Sequence, residues 1–160
     1  MDELLERTAG LPEVRLATGD TLVREGETGD GLWILVSGAL QVSKAGVAIN
    51  AISRPGAAVG EISLLLNSPY TATVAASEPS VLRFAADGRA LLTSDPVVTR
   101  LIATGLAERL SFITSYLADL KNQYGDSPGL AMVSEVLDQL ACHQCPPASP
   151  GSAREPNPEY

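Results

Sequence analysis

The sequence predicts an α+β chain, mainly β, in which an antiparallel β domain is followed by one long helix. Two patterns lead to this fold class. Short strand-like runs separated by glycine turns fill residues 13 to about 85, and a helical pattern begins near residue 95. Many short strands closely spaced by turns are typical of an antiparallel sandwich, barrel or roll. With 160 residues and 45% hydrophobic content, the chain can bury the core of one such domain.

The strand-like runs share apolar or β-branched residues and are bounded by residues that favour turns. Thr18–Asp20 and Thr28–Gly31 are strong turn signals, because their glycines can adopt positive φ. The predicted strands are Glu13–Ala17, Thr21–Glu25, Leu32–Val36, Leu40–Ser43, Val47–Ile52 and Val81–Phe84.

The long helix begins at Ser94-Asp95-Pro96, which offers a capping side chain followed by proline in the first turn. Apolar residues then recur at spacings of three and four, in a seam like that of a coiled coil: Ile102, Leu106, Leu110, Ile113, Leu117, Leu120 and Tyr124. Part of this seam is expected to cover the β domain. A helix of about 30 residues extends ~45 Å, however, so its later half needs another partner.

Charge limits the classes of partner. The chain has 11 basic and 19 acidic residues and a net charge of −8, which argues against nucleic acid and anionic membranes. The first residues are acidic and lack the pattern of a signal peptide, and no apolar run approaches the ~18 residues of a membrane span. The sequence therefore predicts a cytoplasmic protein.

The C-terminal region predicts a short amphipathic helix over residues 126–142 and a disordered tail over residues 143–160. Between residues 122 and 160, Arg154 is the only basic residue, against five acids, so a DNA-reading segment is not expected there. Cys142, His143 and Cys145 supply only three candidate metal ligands, and free thiols are the expectation. We expect no metal, no cofactor and no catalysis.

One run carries most of the functional information: Val59-Gly60-Glu61-Ile62-Ser63-Leu64-Leu65-Leu66, continuing at Pro69-Tyr70-Thr71-Ala72-Thr73-Val74. It resembles the phosphate-binding cassette of cyclic nucleotide-binding domains, which usually reads F-G-E-I-A-L-L … P-R-T-A-T-V. The earlier segments Gly19–Leu32 and Ser37–Val42 are similar to the first half of the same family's domain. The resemblance covers about residues 10 to 125. It implies a β-roll (a double-stranded β-helix, jelly-roll-like) over residues 12–93, a C-helix over 95–124, and a domain spanning 1–125.

The resemblance also implies a ligand site for cyclic AMP or cyclic GMP. Its residues would be Gly60, Glu61, Ile62, Ser63, Tyr70, Thr71 and Ala72, with Thr114 and Ser115 on the long helix as a lid over the base. In the family the C-helix pairs with a second copy, which implies a homodimer. Regulators of the catabolite-activator type continue into a winged helix-turn-helix, which the acidic residues after position 122 do not predict here.

Tyr70 stands where family members place the arginine that contacts the cyclic phosphate. An arginine offers a permanent charge and a bidentate contact, whereas a phenol offers one neutral donor. The sequence therefore favours a non-catalytic regulatory module, dimeric and with a protein partner, whose affinity for cyclic nucleotides is weak or lost. The alternative is a true binder in which Arg54, Arg83 or water-mediated contacts replace the arginine.

Overall fold

The computed structural model describes residues 3–124 together with residues 132, 135, 136, 139 and 140. The elements follow one another in this order: α1 (Glu3–Arg7), β1 (Glu13–Leu16), β2 (Thr21–Val23), β3 (Leu32–Ser37), β4 (Leu40–Lys44), β5 (Val47–Ile52), β6 (Ala58–Val59), α2 (Glu61–Leu66), β7 (Thr73–Ala76), β8 (Ser80–Ala85), α3 (Gly88–Ser94) and α4 (Pro96–Tyr124).

The eight strands form two four-stranded antiparallel sheets, with strand orders β1-β8-β3-β6 and β2-β7-β4-β5. Most neighbours in these orders are far apart in sequence. Trp33 on β3, for example, lies opposite Phe84 on β8 and opposite Val59 on β6. Such long-range pairing rolls the chain into two facing sheets. It confirms the antiparallel β-roll with a long C-terminal helix.

Buried side chains from both sheets meet in one cluster, which we call the inner cluster. Tyr70 is its one member from a loop, since the other seven lie on strands. The members are Val23, Leu35, Leu40, Val59, Tyr70, Val74, Ala76 and Leu82. Trp33 is partly buried and packs against this cluster.

A second cluster, the outer cluster, joins the sheet that contains β3 to the helices. It consists of Leu4, Leu32, Ile34, Leu64, Ala85, Val98 and Ile102. Strand β3 contributes Leu32 and Ile34 to the outer cluster and Leu35 to the inner one. Because both faces of β3 are buried, each in a different cluster, the sequence of this strand is a continuous apolar run.

Helix α4 begins where the sequence predicts, with Asp95 Oδ1 accepting hydrogen bonds from the backbone amides of Val97 (3.0 Å) and Val98 (3.2 Å). Early in the helix, Ile102 is buried in the outer cluster and Leu106 packs against it. The chain divides into two compact units within this helix, one ending at Ala107 and the other beginning at Glu108. The first two positions of the predicted seam therefore belong to the core of the first unit.

The structure corrects some details. Within the described residues, helices hold more of the chain than strands do, because α4 alone has 29 residues, so the fold is α+β rather than mainly β. Elements β6, β7, α1 and α3 are additional to the predicted strands and long helix, and α2 begins at Glu61 within the cassette-like run. Of the expected helix over 126–142, the described residues 132, 135, 136, 139 and 140 are helical, and the tail over 143–160 lies outside the description. No helix in the described ranges has the length and hydropathy to cross a membrane.

Candidate functional site

The cassette, residues 59–74, is organised around the short helix α2. Gly60 precedes this helix in a left-handed conformation, with φ of 94° and ψ of −9°. A Cβ at this position would lie 2.6 Å from the Gly31 carbonyl oxygen and 3.3 Å from the Trp33 ring. The backbone conformation and the close approach both require glycine. The close contacts of Gly60 are thus with the protein itself.

The far end of α2 is closed by local hydrogen bonds. Asn67 adopts a left-handed conformation with φ of 53°, and its amide donates to the Ser63 carbonyl. The Ser68 amide donates to the same carbonyl at 3.0 Å, and the Ser63 hydroxyl donates to the Pro69 carbonyl at 3.3 Å. The side chain of one predicted site residue, Ser63, therefore contributes to the internal structure of the cassette.

The structure places the predicted site residues in different environments. Glu61 and Ser63 are buried on α2 and Tyr70 is buried beyond it, whereas Thr71 is exposed. Ile62 and Ala72 are half-buried. Thr114 and Ser115 lie on α4 in the second unit, where the Thr114 hydroxyl donates to the Leu110 carbonyl at 2.8 Å. Their role as a lid stays a prediction.

Tyr70 is part of the protein core. Its side chain is 8% exposed and belongs to the inner cluster. Its backbone is paired on both sides with the loop of residues 24–31: the Tyr70 amide donates to the Glu27 carbonyl and the Gly26 amide donates to the Tyr70 carbonyl, each at 2.9 Å. The phenol reaches Gly29, where a Cβ would overlap the hydroxyl and lie 3.2 Å from Cζ.

Tyr70 joins two other aromatic residues. The Trp33 ring centroid lies 6.3 Å from that of Tyr70 and 5.2 Å from that of Phe84, on which it stacks. A Cβ at Gly31 would lie 2.6 Å from Trp33 and 2.9 Å from Phe84. Together with Gly29 and Gly60, this glycine leaves room for large rings. We call Trp33, Tyr70 and Phe84 the aromatic cluster.

The electrostatic environment of Tyr70 is acidic. Burial raises the pKa of its phenol above the ordinary value of 10.0, and the charges of Asp30 and Glu27 raise that pKa further. The phenol is therefore neutral at physiological pH. A negatively charged group placed near the hydroxyl would meet the same two carboxylates.

The two candidate substitute cations lie elsewhere in the structure. Arg83 is opposite Ile34 in the strand register, so the two side chains share a face of the sheet. Ile34 belongs to the outer cluster, and the Arg83 guanidinium donates to the Leu5 carbonyl in α1. Arg83 thus points away from the inner cluster that contains Tyr70. Arg54 is exposed in the turn between β5 and β6.

A third arginine contacts the cassette, and the sequence patterns do not single it out. Arg89, in the first turn of α3, donates to Asp30 Oδ1 at 3.3 Å and to the Leu64 carbonyl at 3.3 Å. It also donates to Asn67 Oδ1 at 2.8 Å. The one weak signal in the sequence is Asp87, whose carboxylate caps α3 by accepting from the Ala90 amide at 2.8 Å.

No cluster of three metal-ligating side chains is found in the described part of the chain. Cys142, His143 and Cys145 lie outside that part. The expectations of free thiols and of no metal site remain predictions from sequence.

The comparison with protein families identifies this architecture. The model of the cyclic nucleotide-binding domain matches residues 13–108, more than half of the 160 residues. The chain therefore belongs to the cyclic nucleotide-binding domain family. The matched range begins at β1 and ends in α4, and it includes the whole cassette.

Among curated proteins, the chain is 40% identical over 72 residues to a cAMP-dependent protein kinase regulatory subunit of Yarrowia lipolytica, covering 45% of this chain and 19% of that protein. It is 38% identical over 74 residues to the acetyltransferase Pat of Mycolicibacterium smegmatis, covering 44% of this chain and 22% of that one. The chain thus spans about a fifth of the length of these two relatives.

Solved structures agree on the fold. The N-terminal domain of a transcriptional regulator from Streptomyces coelicolor A3(2) is 29% identical, with a TM-score of 0.52, and the match covers 72% of this chain and 85% of that one. The regulatory subunit of a cAMP-independent protein kinase A from Trypanosoma brucei has a TM-score of 0.54 at 24% identity. The match covers 66% of this chain and 39% of that one. At that identity the second likeness concerns the fold alone.

Proposed function

We propose that this chain is a non-catalytic regulatory module of the cyclic nucleotide-binding type that has lost signalling affinity for cyclic nucleotides. In this proposal the module acts by binding other protein chains through its long helix. The observation that carries the first part is the position of Tyr70, whose ring is packed in the inner cluster beside Trp33 and Gly29. The residue at the position of the family's phosphate-contacting arginine is therefore a core residue.

Charge supports the same proposal. A cyclic nucleotide carries one negative charge, which needs a cation once water is excluded. Near Tyr70 the acids Asp30 and Glu27 raise the pKa of the phenol, so the local field opposes negative charge. A charged hydrogen bond contributes about 1.5–3 kcal/mol, and an unpaired buried charge costs about 3–5 kcal/mol. We therefore expect affinity about 10²- to 10³-fold below that of a binder with arginine.

Calorimetric titration of the whole chain with cyclic AMP and cyclic GMP tests the loss of affinity. We expect no binding in the micromolar range for either nucleotide. Micromolar binding by the unaltered chain would contradict the proposal without any variant. In that outcome, Arg54→Ala and Arg83→Ala identify the cation, because only the variant lacking the phosphate contact should weaken binding.

The Tyr70→Arg variant tests whether the missing arginine charge by itself accounts for the low affinity for cyclic nucleotides. We expect this variant to bind cyclic nucleotide more tightly than the unaltered chain, because the guanidinium can pair with the phosphate. Val47→Arg is the matched control, since it adds the same charge at an exposed position on β5. A thermal melt of each variant shows whether the buried substitution is tolerated.

The association of the long helix is supported by its apolar side chains beyond Ala107. Leu110 and Ile113, on the predicted seam, are 46% and 50% exposed. Phe112 and Tyr116, beside the seam, are 73% and 58% exposed. Aromatic and aliphatic groups of this kind are the usual anchors of protein interfaces. We propose that a second copy of the chain covers this face, as the family resemblance implies, and that an unidentified protein partner docks on the resulting dimer.

Sedimentation velocity tests the dimer. We expect the whole chain to sediment as a dimer at micromolar concentration and Ile113→Lys to weaken dimerisation at least thirtyfold, about 2 kcal/mol for one interface anchor. Leu66→Lys on α2 is the matched control, since it introduces the same charge at an exposed leucine of the first unit. A monomer at all concentrations, or equal effects of the two variants, would remove support for the helix interface.

A further inference from the structure

The side chain of Arg89 contacts two separate segments of the chain. Its Nε donates to Asp30 in the loop of residues 24–31. Its Nη1 donates to the carbonyl of Leu64 in α2, and its Nη2 donates to the side chain of Asn67, the C-cap of that helix. Both the loop and α2 belong to the surroundings of Tyr70. The guanidinium thus connects α3 to the two segments that frame the cassette.

The start of α3 is itself fixed against the same loop. The Gly88 amide donates to the Asp30 carbonyl at 2.7 Å. A Cβ at Gly88 would lie 2.5 Å from Leu64 Cδ1 and 2.9 Å from the Asp30 carbonyl oxygen, so the backbone of α3 approaches both segments closely. Arg89 therefore projects from a well-anchored position rather than from a free surface turn.

The loop of residues 24–31 is held from two sides. On one side the Tyr70 backbone forms hydrogen bonds with Gly26 and Glu27. On the other side Arg89 and the Gly88 amide hold Asp30. Between these attachments lies Gly29, against the Tyr70 hydroxyl. A cation outside the cassette thus forms an ion pair with an acid whose charge also acts on Tyr70.

We propose that Arg89 is a positioning residue that keeps the cassette helix and the loop of residues 24–31 in place with no ligand bound. The inference rests on the proposed function in one respect, since a cassette without a cyclic phosphate needs another cation to organise it. Arg89 supplies that cation from α3. The cassette then has one stable arrangement, independent of nucleotide.

The planar guanidinium is essential to this role, because its three nitrogens each donate to a different acceptor. The Arg89–Asp30 ion pair is exposed, and exposed pairs contribute little by themselves. The contacts with the Leu64 carbonyl and the Asn67 side chain must therefore carry part of the effect. A lysine at position 89 can reproduce the charge but not the three-way contact.

Hydrogen exchange of the nucleotide-free whole chain tests the inference. The reporters are the amides of Leu64, Asn67 and Ser68, which donate to carbonyls within the cassette. We expect Arg89→Met to accelerate their exchange roughly tenfold, the size of one charged hydrogen bond. Arg89→Lys should restore part of the protection. Arg100→Met is the matched control, because Arg100 forms a comparable exposed ion pair with Glu3 at 3.7 Å, away from the cassette.

Trp33 gives a second readout, because it is the one tryptophan of the chain and its ring contacts the Gly31 and Gly60 positions. Arg89→Met should shift its emission to longer wavelength as the loop becomes more mobile, and Arg100→Met should leave the emission unchanged. If Arg89→Met does not fold, Asp30→Ala removes one of the three acceptors. It should still accelerate exchange, by less than about tenfold.

Unchanged exchange of the three amides in Arg89→Met, or equal acceleration in Arg100→Met, would overturn the inference. Because these measurements use no nucleotide, they are independent of the proposed loss of affinity. Micromolar binding of cyclic AMP to the unaltered chain would refute the proposed function and leave the exchange results to be judged separately.

Discussion

Two tyrosines show how differently two regions of the chain are built. Tyr70, in the inner cluster, is 8% exposed and is enclosed by Trp33 and by the backbone of Gly29. Tyr116, on α4 beyond Ala107, is 58% exposed. The first region encloses its aromatic side chains at least partly within its own unit, whereas the second presents Phe112 and Tyr116 to solvent.

The two regions differ in whether their large side chains are packed inside the chain or are open to a proposed partner. The aromatic cluster packs beside the cassette with groups supplied by the chain itself. Exposed apolar groups on α4 have no such enclosure, and a contiguous apolar face of this kind is typical of an interface. Substitutions in the two regions should therefore affect different quantities.

The largest expected effect separates the two tyrosines directly. Tyr70→Ala should lower the free energy of unfolding by about 3–5 kcal/mol, because it removes a buried aromatic ring and leaves a cavity. Tyr116→Ala should change it by less than about 0.5 kcal/mol in dilute protein, since the ring is mostly in solvent. Urea unfolding at submicromolar concentration measures both. Equal losses of stability would mean that the two environments do not differ as the structure indicates.

Much of the fold could be predicted from sequence because its signals are local. Glycine turns and β-branched runs locate most strands, and the Asp95 cap locates the start of α4. The two-residue strand β6 and the short helix α3 have too few residues to show a period, so pattern analysis cannot find them. The burial of Ile102 and Leu106 in the first unit could not be read from a seam that continues unbroken into the second.

The site was predictable only as a motif. The sequence identifies Tyr70 as the unusual residue of the cassette, but its burial depends on Trp33 and Gly29, which are distant in sequence. Arg89 lies outside the motif, and its three contacts come from segments that only the folded chain brings together. Arg83, in contrast, has the right charge but occupies the other face of its sheet.

A smaller effect tests whether the Tyr70 hydroxyl really meets the loop backbone. Gly29→Ala should destabilise the chain by about 1–3 kcal/mol, because its Cβ would overlap the hydroxyl. In a Tyr70→Phe background the same substitution should cost less than about 1 kcal/mol, since the nearest ring atom is then 3.2 Å away. Thermal unfolding of the four chains gives the coupling energy.

Gly10→Ala provides the control for this cycle, because a Cβ at Gly10 has no neighbour within 4 Å. Its effect should be close to zero and the same with tyrosine or phenylalanine at position 70. A cost at Gly29 that does not depend on residue 70 would place the phenol elsewhere in the inner cluster.

The smallest effect is confined to alkaline solution and arises from the raised pKa of Tyr70. Burial, with the charges of Asp30 and Glu27, makes the folded chain hold the phenolic proton more tightly than the unfolded chain, whose tyrosine titrates near 10.0. The stability linked to this proton is therefore complete below pH 10 and is lost as the pH rises through the folded pKa. Urea unfolding between pH 8 and pH 11 should show a steeper decline for the unaltered chain than for Tyr70→Phe, with Tyr116→Phe measuring the general effect of losing a phenol. Parallel declines for the unaltered chain and Tyr70→Phe would indicate that the phenol ionises as easily in the folded chain as in the unfolded one, and the contrast between the two regions would then rest on packing alone.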